Sequence, residues 1–162
     1  MKIAILGGAF DPPHIGHYLV ARQVKELLEM DEVWFMVCYS YFPEFPGKMK
    51  RITGYEDRYA MATLLNENGN MRVSDFEYRF NKKSRTIDTL SLLKNRYSQH
   101  EFFWIIGSDV LPTFHLWNNL LTAIVTSTGY SRTVDKILDA LRAHPFADTP
   151  GCFRYLATPG WF

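Results

Sequence analysis

Buried strands alternate with amphipathic helices along this chain, and that alternation constrains its fold more than any other feature. Residues 2–6 and 33–38 are short apolar runs with the length and content of buried strands. Between them, residues 18–30 place apolar and charged side chains at helical spacing. A strand, a helix and a second strand in this order predict a right-handed βαβ unit in a parallel sheet.

The alternation of predicted strands and helices continues along the rest of the chain. We predict helices from Thr53, which has capping-box spacing to Glu56, through Leu65, and at residues 86–97, 110–120 and 133–143. Further strands are predicted at residues 71–76, 101–106, 123–126 and 153–157. No repeat, low-complexity tract or linker interrupts them, so residues 1–162 are predicted to form a single α/β domain with a doubly wound parallel sheet.

Composition excludes several classes of protein. Hydrophobic residues make up 47% of the 162 residues, which is typical of a globular chain. A net charge of +1 argues against a dedicated nucleic-acid binder. We expect a cytoplasmic protein without membrane association, because the apolar start is too short for a secretory signal and no run reaches membrane-spanning length. Cys38 and Cys152 are expected to be reduced core residues.

The loop after the first strand carries the strongest candidate site. Gly7 and Gly8 are expected to end the strand and free the backbone to turn, and Asp11-Pro12-Pro13 then leads into a helix start. His14 and His17 are three residues apart, so both imidazoles face one side of the first helical turn. Unpaired amides and the positive end of the helix dipole make that turn a phosphate cradle.

Taken alone, this histidine pair also fits a packed or surface role. A metal site would need further ligands, and Asp11 is the one carboxylate nearby in sequence. Topology supplies a second argument, because ligands of open α/β sheets bind beyond the carboxyl ends of the strands. The loops at residues 7–11, 38–54 and 107–109 each follow a strand, so we expect all three at that edge.

Four separated motifs resemble a known family. GGAFDPPHIGH at residues 7–17 resembles the nucleotidyltransferase signature G-G-x-F-D-P-x-H-x-G-H. The chain is also similar to bacterial nicotinate (or nicotinamide) mononucleotide adenylyltransferases. RYAM at residues 58–61 matches their R-x-x-M, and residues 84–90 match S-Y-T-x-D-T-L with Arg85 in place of tyrosine. Residues 106–117 match I-G-x-D-x-L-x-x-F-x-x-W.

The resemblance implies a Rossmann-like fold and transfer of AMP from ATP to nicotinate mononucleotide, which gives deamido-NAD and pyrophosphate in NAD biosynthesis. It implies Mg²⁺ held through the ATP phosphates, with no protein metal ligand. His14 and His17 are the implied catalytic residues. The other implied ATP contacts are Gly7, Gly8, Ala9, Phe10, Gly107, Asp109 and Lys48. Thr86 and Trp117 are the implied contacts to the pyridine mononucleotide.

Four of these residues outside the first motif have a simpler interpretation from their type alone. Asp109 and Thr86 are also suited to capping helices. Trp117 also suits a core position, and Lys48 a solvated loop. These alternatives stay open at the level of the sequence.

The sequence departs from the family at its C-terminal end. The second family signature, I-S-S-T-x-I-R, is not found; residues 126–132 look similar but contain an extra residue and come too early. The domain is therefore expected to be truncated or diverged there, or to supply the phosphate-binding arginine otherwise. Two alternatives to an active enzyme of this family follow: a nucleotide-binding homologue with impaired catalysis, and a related transferase acting on pantetheine phosphate or a CTP-linked alcohol phosphate. The sequence does not determine oligomeric state or the preference for acid or amide mononucleotide.

Overall fold

A computed structural model describes residues 1–40, 52–66, 69–82 and 85–107, together with the backbone of two strands at residues 123–128 and 153–158. The chain divides into two compact units, residues 1–102 and 103–162.

The first unit is built on parallel strands. Strand β1 (Lys2–Gly8) pairs with β2 (Glu32–Val37), and β2 pairs with β3 (Arg72–Ser74), which gives the order β3–β2–β1. Ile5 lies opposite Trp34, and Trp34 lies opposite Arg72. The predicted βαβ unit is therefore confirmed.

Helices cover the strands of this unit. They are α1 (Ile15–Leu27), α2 (Tyr55–Leu65), the short α3 (Phe76–Phe80) and α4 (Thr86–Arg96). β1 and β2 are nearly continuous apolar runs because such strands are buried on both faces. No helix in the described ranges is long and apolar enough to cross a membrane.

The division between the units falls within β4 (Glu101–Gly107). In the second unit β4 pairs with β5 (Ala123–Thr128), and β5 pairs with β6 (Phe153–Thr158), again in parallel. Ile105 lies opposite Ile124, and Val125 lies opposite Tyr155. These strands confirm the predicted runs, whereas the predicted helices at residues 110–120 and 133–143 lie outside the described residues.

Two predicted strand ends were wrong. β1 continues through both glycines, because Gly7 and Gly8 remain in the parallel ladder opposite Met36 and Val37. β3 ends at Ser74, earlier than expected, and α3 begins at Phe76. The Phe76 amide donates to the hydroxyl of Ser74 at 3.3 Å. The apolar content of a segment does not predict where its strand ends, because the end depends on where the neighbouring strand stops providing backbone hydrogen-bond partners.

The predicted helix cap at Thr53 was wrong, and the alternative of a cap at Thr86 is not observed either. Gly54 is the N-cap of α2, and Thr53 instead donates its amide to the carboxylate of Asp11 at 2.7 Å. Arg85 is the N-cap of α4, so Thr86 occupies the first helical position and caps nothing. In both places the side chain proposed as a cap lies one residue away from the cap position.

The inner face of α4 contains a polar network that sequence periodicity did not predict. Thr89 is fully buried beside Leu93. Its hydroxyl donates to the Glu77 carboxylate at 2.7 Å and accepts from the Asn81 amide at 2.7 Å. This network ties α4 to α3, since buried polar groups require such partners.

Candidate phosphate-binding site

The loop between β1 and α1 is held in an uncommon conformation at Phe10. Its φ is +52°, in the left-handed region that costs a non-glycine residue about 1–2 kcal/mol. The Phe10 side chain is 2% exposed and packs against Phe35 and His17, with ring centroids 5.5 Å and 5.0 Å away. Packing on both sides keeps the backbone strained, as is common at ligand-binding loops. The following Asp11–Pro12 peptide bond is cis.

The two histidine rings contact each other at the start of α1 with their planes tilted by 39°, on one side of the helix as their spacing predicts. His14 is the N-cap and His17 is the third residue of the helix, and their ring centroids are 3.8 Å apart. The His14 amide donates to Nδ1 of His17 at 3.1 Å, and the His17 amide donates to the His14 carbonyl at 3.0 Å. The pair is thus fixed by the backbone as well as by ring contact.

These contacts determine which ring nitrogen of His17 is available. Because Nδ1 accepts an amide hydrogen bond, the proton of the neutral ring is on Nε2. Burial, and to a lesser extent the neighbouring His14, lower the pKa of His17 to about 4. At neutral pH His17 is therefore an uncharged ring with a fixed Nε2–H donor.

The first turn of α1 offers fewer free amides than its sequence suggests, because those of His14 and His17 are already bonded. Ile15 and Gly16 occupy the first two helical positions, where no helical carbonyl precedes them. The first turn contains no acidic residue that would repel an anion. The amides of Ile15 and Gly16 therefore lie in the same helical turn as the two imidazoles.

Gly8 does not provide a turn, contrary to the sequence-based expectation. A Cβ built on Gly8 would lie 3.6 Å from the Phe10 ring, which is ordinary van der Waals contact. The fold of the described chain thus tolerates a side chain there. Any requirement for glycine at this position would come from a ligand.

The ends of β1 and β2 meet at one edge, as the topology predicted for their loops. Asp11 accepts from the Thr53 amide, and this bonding to Thr53 lowers the pKa of the Asp11 carboxyl. Beneath them, the Arg58 guanidinium donates to carbonyls from both loops. Cys38 is a free thiol whose pKa is raised by burial to about 11, so it is protonated and unreactive at neutral pH.

The remaining predicted site residues are not brought together by the described contacts. Thr86 is half-buried at the start of α4, and Gly107 is the last residue of β4. Lys48, Asp109 and Trp117 lie outside the described residues. Within the part of the chain that the structure describes, no group of three His, Cys, Asp or Glu side chains is arranged to hold a metal ion.

Sequence reasoning also missed a cluster of aromatic residues beside this edge. Tyr55 and Tyr78 stack with ring centroids 4.6 Å apart, and Tyr39 lies 5.7 Å from Tyr78. The ammonium of Lys82 is 5.5 Å from the rings of both Tyr39 and Tyr78. Tyr55 and Tyr78 belong to α2 and α3, and Tyr39 and Lys82 to the segments that follow β2 and α3, so no local pattern could have indicated their contact.

The depressed pKa of His17 predicts a pH-dependent contribution to stability. Protonation favours the unfolded chain, where histidine has its ordinary pKa near 6.5, over the folded chain. Relative to a His17→Gln variant, which cannot titrate there, the native chain should lose unfolding free energy as pH falls from about 6.5 to 4. Urea unfolding of both chains at several pH values measures this, and a constant difference between them would contradict the assignment.

Comparison with known proteins relates this chain to a family. The family model described as cytidylyltransferase-like matches residues 5–145. A probable nicotinate-nucleotide adenylyltransferase of Exiguobacterium sibiricum is 41% identical over 119 residues, which cover 73% of this chain and 61% of that relative. A relative of the same name from Oceanobacillus iheyensis is 35% identical over 134 residues, covering 81% of this chain and 68% of the relative. The chain thus spans less than two thirds of the Exiguobacterium protein.

A solved structure shows the same fold. The nicotinic acid mononucleotide adenylyltransferase of Plasmodium falciparum, complexed with NaAD, matches 99% of this chain and 77% of its own, with a TM-score of 0.75 and 22% identity. This likeness confirms the predicted α/β, Rossmann-like fold class. The matched family model and the Oceanobacillus relative establish that the chain belongs to the cytidylyltransferase-like family and, within it, to the group that includes these nicotinate-nucleotide adenylyltransferases.

Proposed function

We propose that this protein transfers AMP from ATP to nicotinate mononucleotide, forming deamido-NAD and pyrophosphate. The observation that carries the proposal is the fixed Nε2–H donor of His17 beside His14 at the open N-terminus of α1. The names of the relatives of this protein indicate the same reaction, and the similar Plasmodium structure contains NaAD.

The reaction requires alignment and charge neutralisation. A phosphate oxygen of the mononucleotide attacks the α-phosphorus of ATP, a new P–O bond forms, and the bond from that phosphorus to the bridging oxygen breaks, so pyrophosphate leaves. No protein nucleophile is needed, because both reactants already carry the reacting groups. His17 donates its Nε2 proton in a hydrogen bond to a phosphate oxygen, and His14 and the first α1 amides contribute further donors.

The described residues fit Mg²⁺ only as an ion carried by ATP. Asp11 is the carboxylate of this loop, and its Oδ2 is taken by the Thr53 amide. Mg²⁺ is usually held by substrate phosphates together with one or two carboxylates and water, so the chain need not provide a cage. When bound, the ion would neutralise part of the charge on the phosphates.

Several further roles belong to this proposal. Gly7 and Gly8 at the end of β1, and Ala9 and Phe10 in the loop that follows, would contact ATP through their backbone. Gly107, Asp109 and Lys48 are proposed as additional ATP contacts. Thr86 and Trp117 are proposed to contact the nicotinate mononucleotide. A cytoplasmic location remains a prediction that accompanies a biosynthetic role.

Pyrophosphate release by the full chain tests the proposal. The chain is incubated with ATP and Mg²⁺, and separately with nicotinate mononucleotide, nicotinamide mononucleotide or pantetheine phosphate. Release with a pyridine mononucleotide, and deamido-NAD as the product of the acid, is expected. Release with pantetheine phosphate alone would assign a related transferase instead. ATP binding without pyrophosphate release would indicate a nucleotide-binding homologue that has lost catalysis.

A further inference from the structure

Arg58 is a buried cation that forms no ion pair among the described residues, although its charge helps to lower the pKa of the Asp11 carboxyl. It is 1% exposed, although burying an unpaired charge is costly. The ion pairs found in the described ranges, Arg22–Glu26 and Arg79–Asp75, do not involve it. A residue held in this way has to be compensated by other polar groups.

Backbone carbonyls provide that compensation. Nε donates to the Thr53 carbonyl at 2.8 Å, and Nη2 donates to the Tyr39 carbonyl at 3.1 Å. Nη1 donates to the carbonyls of Ala9 and Cys38, each at 2.8 Å. Four carbonyls from three separate segments are thus gathered on one guanidinium.

One of these bonds bears directly on the candidate phosphate site. Ala9 and Phe10 share a trans peptide, in which the C=O and N–H groups point in opposite directions. Arg58 draws the Ala9 carbonyl inward, so the Phe10 amide is turned away from the guanidinium. The strained φ of Phe10 is part of the same backbone arrangement.

We propose that Arg58 is a positioning residue that orients the Ala9–Phe10 peptide so that the Phe10 amide donates to a phosphate of ATP. The proposal rests on the proposed function, since that function places ATP phosphates at this loop. Arg58 itself touches no substrate. Its role is to fix a donor in advance of binding, which avoids the cost of ordering the loop with the ligand.

The chemistry of the guanidinium explains why arginine is required at this position. Its three nitrogens donate along separate directions in one plane. Lysine offers three protons on a single nitrogen, which cannot reach both the Thr53 and Tyr39 carbonyls while also holding Ala9 and Cys38. An Arg58→Lys variant therefore keeps the charge and loses the geometry.

Arg58→Lys in the full chain is the central variant, with Leu93→Ala as its control. Leu93 is fully buried in α4, and its truncation removes core packing without touching the loop. Both variants are compared with the native chain under conditions where each is folded. The readouts are the dissociation constant for ATP with Mg²⁺ and the amide resonance of Phe10 in a ¹⁵N-labelled sample.

Loss of one charge-assisted contact predicts about tenfold weaker ATP binding in Arg58→Lys. We also expect a displaced Phe10 resonance, whereas Leu93→Ala should be destabilised with native ATP affinity. A purely structural role would give both folded variants native affinity and an unmoved Phe10 resonance, which would overturn the proposal.

A second measurement applies if Arg58→Lys fails to fold. In the native chain, the Phe10 amide resonance is followed while ATP and Mg²⁺ are added to saturation. A clear shift supports the proposal, and an unmoved Phe10 amide at saturation overturns it. If ATP does not bind at all, it is the proposed function that fails, because that result concerns the site and not the orientation of its peptide.

Discussion

Replacing His17 with asparagine should reduce kcat for pyrophosphate release about 100-fold or more, while replacing it with glutamine should reduce kcat much less. An asparagine oxygen can occupy the Nδ1 position and accept the His14 amide, but it leaves no donor at the Nε2 position. Glutamine places an N–H near Nε2. Removal of one fixed donor to a developing oxyanion typically costs a factor of 10²–10³.

The pair of variants separates the two functions of the His17 ring. Steady-state kinetics with ATP and nicotinate mononucleotide gives kcat, and urea unfolding gives the stability of each folded chain. If asparagine and glutamine lowered kcat equally, or if asparagine left it near the native value, the Nε2–H donor would not carry the reaction. Alanine at this position removes both groups and serves as the reference for complete loss.

Replacing Phe10 with alanine should destabilise the chain by about 3–5 kcal/mol and raise the pKa of His17. Phe10 is 2% exposed between Phe35 and His17, so truncation leaves a cavity and lets water reach the imidazole. Because burial is the main cause of the low pKa of His17, the value should move from about 4 toward its ordinary 6.5. Leucine at position 10 should preserve most of the apolar contact.

Urea unfolding and an NMR titration of the His17 ring measure these two effects. Phe10→Leu is the matched control, since it retains an apolar side chain on the same strained backbone. A Phe10→Ala chain destabilised by less than about 1 kcal/mol, or one with an unchanged His17 pKa, would show that Phe10 does not shield the histidine.

Strands β1, β2 and β4 were predictable because each contains a run of apolar residues long enough for burial on two faces, as in residues 33–37 of β2. Their ends were less predictable, since Gly7 and Gly8 extend β1 only because β2 still offers partners. The cap assigned to Thr53 failed for a related reason. Its amide is taken by Asp11, which lies 42 residues away in sequence.

The site divides in the same way between local and distant contacts. The ring contact between His14 and His17 follows from their helical spacing, so the sequence predicts it. The role of Arg58 depends on carbonyls up to 49 residues away, and carbonyls are present at every position. No pattern of side chains in the sequence indicates which of these carbonyls will accept hydrogen bonds from a buried guanidinium. For Lys48, Asp109 and Trp117 the roles remain predictions.

At neutral pH His17 is uncharged with its proton on Nε2, and we propose that this N–H donates to a phosphate of ATP. Long-range ¹H–¹⁵N NMR of the histidine rings distinguishes the two neutral tautomers directly and can be repeated as ATP and Mg²⁺ are added. We expect the Nε2-protonated form in the free chain at pH 7 and a shift of that nitrogen on ATP binding. A ring protonated on Nδ1, or an Nε2 signal unmoved at saturating ATP, would contradict this expectation.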